Sequence, residues 1–114
     1  MSKRRVFQPG DLIKLDFDPV LGHEQGGFRR ALVVSEAAYN ARVGLALVCP
    51  TTTQVKGYPF EVAIPDGYQV HGVVLADQVK CVDLKARAAK YVETGPTELL
   101  HTVRGYIALL IGAK

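Results

Sequence analysis

DLIKLDFD, residues 11–18, sets the fold class. Ile13, Leu15 and Phe17 alternate with Lys14, Asp16 and Asp18. Neighbouring side chains of an extended chain point to opposite faces, so a period of two predicts a strand with one face buried. Pro9-Gly10 ahead of it is a turn signal. Behind it, residues 19–27 form a glycine-bracketed polar loop that runs into ALVVS (31–35), a short and almost wholly apolar strand. Ser35 is placed to cap a short helix through EAAYNAR, which Gly44 ends. LALVCP (45–50) reads as a strand closed by Pro50, and TTTQVKGYP (51–59) as a second polar loop. FEVAI (60–64) alternates again, with Phe60, Val62 and Ile64 on one face, before a turn at Pro65-Asp66-Gly67. GVVLADQVKCVDL (72–84) is one bent strand or two strands broken near Asp77-Gln78, and AKYVET (89–94) is a further short strand.

The period changes in the last segment. Gly95 is expected at the N-cap, Pro96 at the first helical position and Glu98 as a capping carboxylate. Leu99, Leu100, Val103, Ile107, Leu110 and Ile111 make an amphipathic stripe that Gly112 ends. Gly105 in its middle weakens the helix by about 1 kcal/mol, so tertiary packing has to hold it. Many short strands with turns between them predict a small, strongly curved antiparallel sheet or barrel, with one C-terminal helix covering an open end or face.

The 114 residues are expected to form one domain, 1–114, large enough to bury a core without disulfides. With 48% hydrophobic and 22% charged residues the chain is not of a disordered class. No apolar run approaches the roughly 18 residues of a membrane span. The basic start MSKRRVFQPGD lacks an apolar region behind it, so no signal peptide is read and a cytoplasmic protein is expected. Cys49 and Cys81 sit in apolar stretches outside any C-x-x-C pair, and His23, His71 and His101 lie far apart. Two buried thiols, no metal site and no cofactor are expected.

Net charge is +3, and its distribution is uneven. Residues 1–57 hold eight Lys/Arg against five Asp/Glu, whereas residues 58–114 hold six of each. The excess lies in the half that contains GHEQGGFRRALVVS (22–35), where Glu24, Gln25, Arg29 and Arg30 crowd the mouth of a strand. Such a bias fits nucleic acid or an acidic protein partner, or a solvated surface with chance asymmetry.

GDLIKLDFDP, GHEQGGFRRALVVS, PTTTQVKGYPFEV and GVVLADQVK, in this order and spacing, closely resemble the MazF/PemK-type toxins of bacterial toxin–antitoxin systems. The likeness runs from about residue 9 to about residue 90. It implies a mainly β (α+β) fold: a small SH3-like antiparallel β-barrel with a short helix and a C-terminal amphipathic helix, working as a homodimer. It also implies a sequence-specific, metal-independent endoribonuclease that cuts single-stranded RNA and is silenced by an acidic, partly disordered antitoxin. By the resemblance Arg29 and Thr52 are catalytic, and Glu24 is drawn into the mechanism. The family has Arg-Pro where this chain has Arg29-Arg30, so the stiffening of a proline is lost and a charge that can contact phosphate is gained.

RNA can be cut by attack of a ribose 2′-hydroxyl on the adjacent phosphorus. That requires a proton acceptor, a proton for the leaving 5′-oxygen, and positive charge on the crowded phosphorane. Arg29 suits the last task because a guanidinium forks onto two phosphate oxygens, and Thr52 can donate its hydroxyl to the same oxygens. In the family the Arg is often made both acid and base, but a guanidinium seldom gives up its proton, so Arg29 suits electrostatic stabilisation better. Glu24 is a candidate proton acceptor, and which group is the base stays open. An ordinary Glu, near pKa ~4.3, is a weak base at neutral pH and needs burial to do better. Products would be a 2′,3′-cyclic phosphate and a 5′-hydroxyl.

Bases are read by stacking and by edge hydrogen bonds. Phe17, Gln25, Gln54, Lys56, Gln78 and Lys80 are the candidates, with Arg30 counted among the RNA-binding residues as a phosphate contact. Each has another reading: core packing for Phe17, loop hydrogen bonds for Gln25 and Gln54, a strand break for Gln78, solvated surface for Lys56 and Lys80. Tyr58-Pro59 reads as a loop anchor, and His23 as a substrate contact or a solvated loop residue. Two other classes stay open. One is a non-catalytic toxin of the same fold that inhibits a protein such as gyrase, although those CcdB toxins use a Trp-Gly-Ile tail and this chain has no Trp. The other is an SH3-like RNA-binding module.

Overall fold

A computed structural model describes residues 5–16 and 28–113. Phe17, Glu24 and Gln25, like His23, lie outside the described residues. The elements run β1 (Asp11–Asp16), β2 (Phe28–Val33), α1 (Ala37–Val43), β3 (Leu45–Thr52), β4 (Glu61–Ala63), β5 (Val73–Leu75), β6 (Lys80–Asp83), β7 (Lys90–Thr94) and α2 (Thr97–Leu110). The strands form one antiparallel sheet in the order β4-β5-β3-β2-β1-β7, with β6 on the same edge of β3 as β5. Among the described residues the sheet is not closed, so it is a curved, barrel-like sheet with two helices.

Both faces of the central strands are buried, which one period of alternation does not announce. Leu12, Leu32 and Cys49 are aligned across β1, β2 and β3 and pack with Leu99, Leu100 and Val103 of α2. Their neighbours Ile13, Ala31, Val33 and Val48 point the other way into a second cluster with Leu15, Ala46 and Val82. The predicted face of β1 therefore holds for Ile13 and Leu15, while Leu12 supplies the opposite face. Asp11 is also buried. Its carboxylate accepts from Arg5 at 3.0 Å, from the Gln8 N–H at 2.9 Å and from the Thr94 hydroxyl at 3.4 Å, and so ties the N-terminal segment and β7 to β1.

Several boundaries differ from the sequence expectation. β2 begins at Phe28 rather than residue 31, because β1 offers it a partner out to Asp16. β3 does not stop at Pro50. It exchanges one edge partner for another: β6 pairs with residues 45–48 and β5 with Thr51 and Thr52. Proline lacks the N–H for one ladder bond, and Pro50 stands between the two partnerships. The segment 72–84 is two strands broken by a turn at residues 76–77, one of the two forms foreseen.

Ser35 does not cap α1. The cap position is Glu36, and the Ser35 hydroxyl instead bonds Asn40 and receives the Leu47 N–H at 2.9 Å. Gly44 ends α1 in a left-handed conformation, φ 80°. At α2 the N-cap is Pro96 and no side chain caps it, so Gly95 and Glu98 do not play their expected parts. Gly95 instead lies close against β1, its N–H donating to Gly10 O at 2.9 Å. The stripe of α2 buries Leu99, Leu100 and Val103, but Leu110 and Ile111 at its end are exposed. Cys49 is buried as expected; Cys81 is exposed, because it faces outward from β6 toward Tyr39. No described helix is long and apolar enough to cross a membrane.

Candidate active site

The first residues of β2 and the last of β3 reach beyond the core together. Ala31 pairs with Pro50 and Val33 with Val48. Beyond the last pair of this register, Arg29 and Thr52 line one and the same cavity. The Thr51 hydroxyl fixes the approach by donating to Arg30 O at 3.3 Å. On the far side of β2, Leu15 stands opposite Arg29 and Lys14 opposite Arg30, so a further cation flanks the pair.

A cavity of about 350 Å³ opens here, lined by Arg29, Arg30, Thr51, Thr52, Thr53, Gln69, Val70 and His71. Arg29 and Arg30 are both exposed, and among the described residues neither guanidinium forms a salt bridge. Thr52 is half-buried, and its Oγ1 accepts the Gln54 N–H at 3.1 Å. With a lone pair so occupied, the hydroxyl hydrogen is left to point outward to an acceptor. Two cations and an oriented donor around one space form an anion site suited to phosphate.

The second wall of the cavity was missed by sequence reasoning. Gln69, Val70 and His71 precede β5, whose Val73 pairs with Thr52. Gly72 sits at φ +100°, against the backbone of Thr52 and Thr53. A Cβ there would collide with the Thr52 carbonyl oxygen and lie 2.9 Å from Thr53 Cα. Glu93 of β7 holds the same segment by accepting the N–H groups of Gln69 at 3.0 Å and Val70 at 2.8 Å. The only sequence signal was a glycine just ahead of an apolar run, and its partner lies 20 residues upstream.

Gln54, Lys56, Gln78 and Lys80 are exposed and do not line the cavity. Gln54 and Lys56 belong to the loop that follows β3, and Gln78 and Lys80 to the β5–β6 connection and the start of β6. Glu61 secures the loop, accepting the Lys56 N–H at 3.0 Å and the Gly57 N–H at 3.0 Å. Tyr58 is the anchor its position suggested: its hydroxyl donates to Asp77 at 3.0 Å, and its ring meets Phe60 edge-on at 5.8 Å. That hydrogen bond, with the charge of Asp77, raises the Tyr58 pKa above its ordinary value. Burial, with the Asp77 charge adding to it, pushes the Cys49 thiol up to about 12, so Cys49 is no thiolate nucleophile. Among the described residues no three His, Cys, Asp or Glu side chains gather as metal ligands would.

Residues 8–111 match the family described as PemK-like, MazF-like toxin of type II toxin–antitoxin systems. The chain is 47% identical over 112 residues to the endoribonuclease toxin MazF of Escherichia coli K12, covering 98% of this chain and all of that protein. It is 40% identical to the endoribonuclease toxin ChpB of the same organism, over 88% of this chain and 90% of that one. The crystal structure of a MazE-MazF complex from Deinococcus radiodurans superposes with a TM-score of 0.92 at 46% identity, covering 97% of this chain and 100% of the matched one. On these matches, the chain belongs to the PemK-like, MazF-like toxins of type II toxin–antitoxin systems.

Proposed function

We propose that this toxin, an endoribonuclease by its family and its near-full-length relatives, cuts single-stranded RNA at chosen sequences without a metal ion. The attacking group is the ribose 2′-hydroxyl beside the scissile phosphate. One observation carries the reading: Arg29, Arg30 and Thr52 line a single cavity, with no carboxylate of the described residues neutralising the two guanidiniums. Arg29 grips two phosphate oxygens and follows the charge that grows on them as the phosphorane forms. Thr52 donates to one of these oxygens, its orientation set by the Gln54 N–H. Arg30 holds the strand through a neighbouring phosphate. By the family resemblance Glu24 takes part in the mechanism and Gln25 in holding the RNA. Phe17, Gln54, Lys56, Gln78 and Lys80 contact the bases and backbone on either side.

The Deinococcus relative is a complex with MazE, which supports a cognate antitoxin for this chain too. The chemistry that would recognise the basic cleft is an acidic, largely unstructured segment lying across it. A homodimer is the expected working form, and the exposed apolar end of α2 at Leu109, Leu110 and Ile111 is a surface that a second copy can cover.

The test is cleavage by purified protein in excess EDTA, followed by mass analysis of the ends. Sharp cuts with 2′,3′-cyclic phosphate and 5′-hydroxyl termini are expected. Termini bearing a 3′-hydroxyl and a 5′-phosphate, or cutting that stops when metal is removed, would refute the reading.

A further inference from the structure

We propose that His71 is a further catalytic residue, the group that accepts the 2′-hydroxyl proton; this rests on the cleft being the cutting site. Neither a guanidinium nor a threonine hydroxyl accepts a proton readily at neutral pH. Among the described residues that line the cavity, His71 alone carries a basic ring nitrogen that can accept a proton.

The position of His71 is built rather than accidental. Val70 before it is 2% exposed and belongs to the main core cluster. The N–H groups of Gln69 and Val70 are held by Glu93, and Gly72 behind it is pressed on the Thr52 backbone. The Gly72 carbonyl also accepts the Ile64 N–H at 2.9 Å. The backbone on both sides of His71 is thus fixed to three different strands or their ends, while the imidazole itself is exposed at the cavity. The charged groups that face it there are Arg29 and Arg30 of β2, with Lys14 of β1 opposite Arg30 in register. Glu93 of β7 is turned to the backbone of residues 69 and 70.

In the step, an imidazole nitrogen takes the 2′-hydroxyl proton as the O2′–P bond forms. The P–O5′ bond breaks, O5′ leaves with the electron pair and takes a proton from water, and the imidazolium returns its proton to solvent. Nothing is oxidised or reduced.

The experiment is a single-turnover pH–rate profile on an RNA oligonucleotide with one mapped cut site, in EDTA, for wild type, His71→Gln and His71→Ala. The wild-type rate is expected to rise with pH. His71→Gln should lose about 10²-fold in the single-turnover rate constant, with the RNA concentration for half-maximal rate little changed and that rise gone. Free imidazole should restore part of the His71→Ala rate. The exposed side chain leaves folding intact, which a thermal melt checks. A His71→Gln enzyme with wild-type rate and profile would overturn the role of His71 alone. Wild-type products lacking the cyclic phosphate would overturn the cutting reading and this role together.

Discussion

A threonine hydroxyl has one proton to give, and the Gln54 N–H at Thr52 fixes where that proton can point. Removing such a preorganised donor costs about 10²–10³-fold in rate, so Thr52→Ala should fall by that much while Thr52→Ser keeps most activity. Arg29→Ala should fall at least as far, and Arg29→Lys should recover little, because an ammonium cannot fork onto two oxygens. Steady-state kinetics on one oligonucleotide, with circular dichroism to show the fold unchanged, checks all four. Cys49 gives a residue-scale prediction about stability. Its thiol is raised from the ordinary 9.0 to about 12 by burial. The folded state then binds the proton more tightly than the unfolded chain. The protein keeps its full stability below pH 9 and loses roughly 1.4 kcal/mol per unit above it, through the folded value. Denaturant melts from pH 8 to 10.5 should show that slope, and Cys49→Ala should flatten it.

The strand β3 does what no local pattern could announce, because it changes partners at Pro50 and carries Thr51 and Thr52 on to β5. β4 and α2 were legible because each buries residues at a fixed period, and β1 because Ile13 and Leu15 share one face, although Leu12 is buried on the other. Phe60, Val62 and Ile64 were correctly set on one face, with Val62 and Ile64 buried and Phe60 packed against the core. The far end of β3 was read as loop because Val73, the partner that makes it strand, is 21 residues away from Thr52. The same cause hid His71: its nearness to Thr52 is a consequence of sheet pairing and appears in no contiguous motif. Arg29 and Thr52 were singled out by the likeness of their segments to a known family, not by periodicity, and the structure places both in the lining of one cavity. Ser35 and Gly95 misled because a short polar or flexible residue ahead of a helix has tertiary uses that compete with capping, here the Leu47 N–H and the close approach to β1. Gly72→Ala follows from this geometry. The added methyl must displace Thr52 or twist a residue at φ +100°, so a loss of roughly 1–3 kcal/mol is expected together with a fall in kcat. Chemical denaturation and cleavage rate measured on the same preparation would show both.

For the molecule as a whole, Arg29 and Arg30 put positive charge in the cleft, and RNA and an acidic antitoxin segment would compete for it. Antitoxin binding should weaken steadily as salt is raised beyond physiological strength, where the Debye length is about 8 Å. Fluorescence anisotropy of a labelled acidic segment across a salt series measures this, and the Arg30→Ala toxin should show a shallower dependence. Light scattering should give twice the chain's mass for the free toxin. The account as a whole stands on the substrate's own 2′-oxygen being the nucleophile at a phosphate held by Arg29 and Thr52. Two oligonucleotides that differ only in a single 2′-deoxy sugar at the mapped cut site test it most directly. The account predicts that the all-ribose strand is cut in EDTA and the substituted strand is not; equal cutting of both would contradict it.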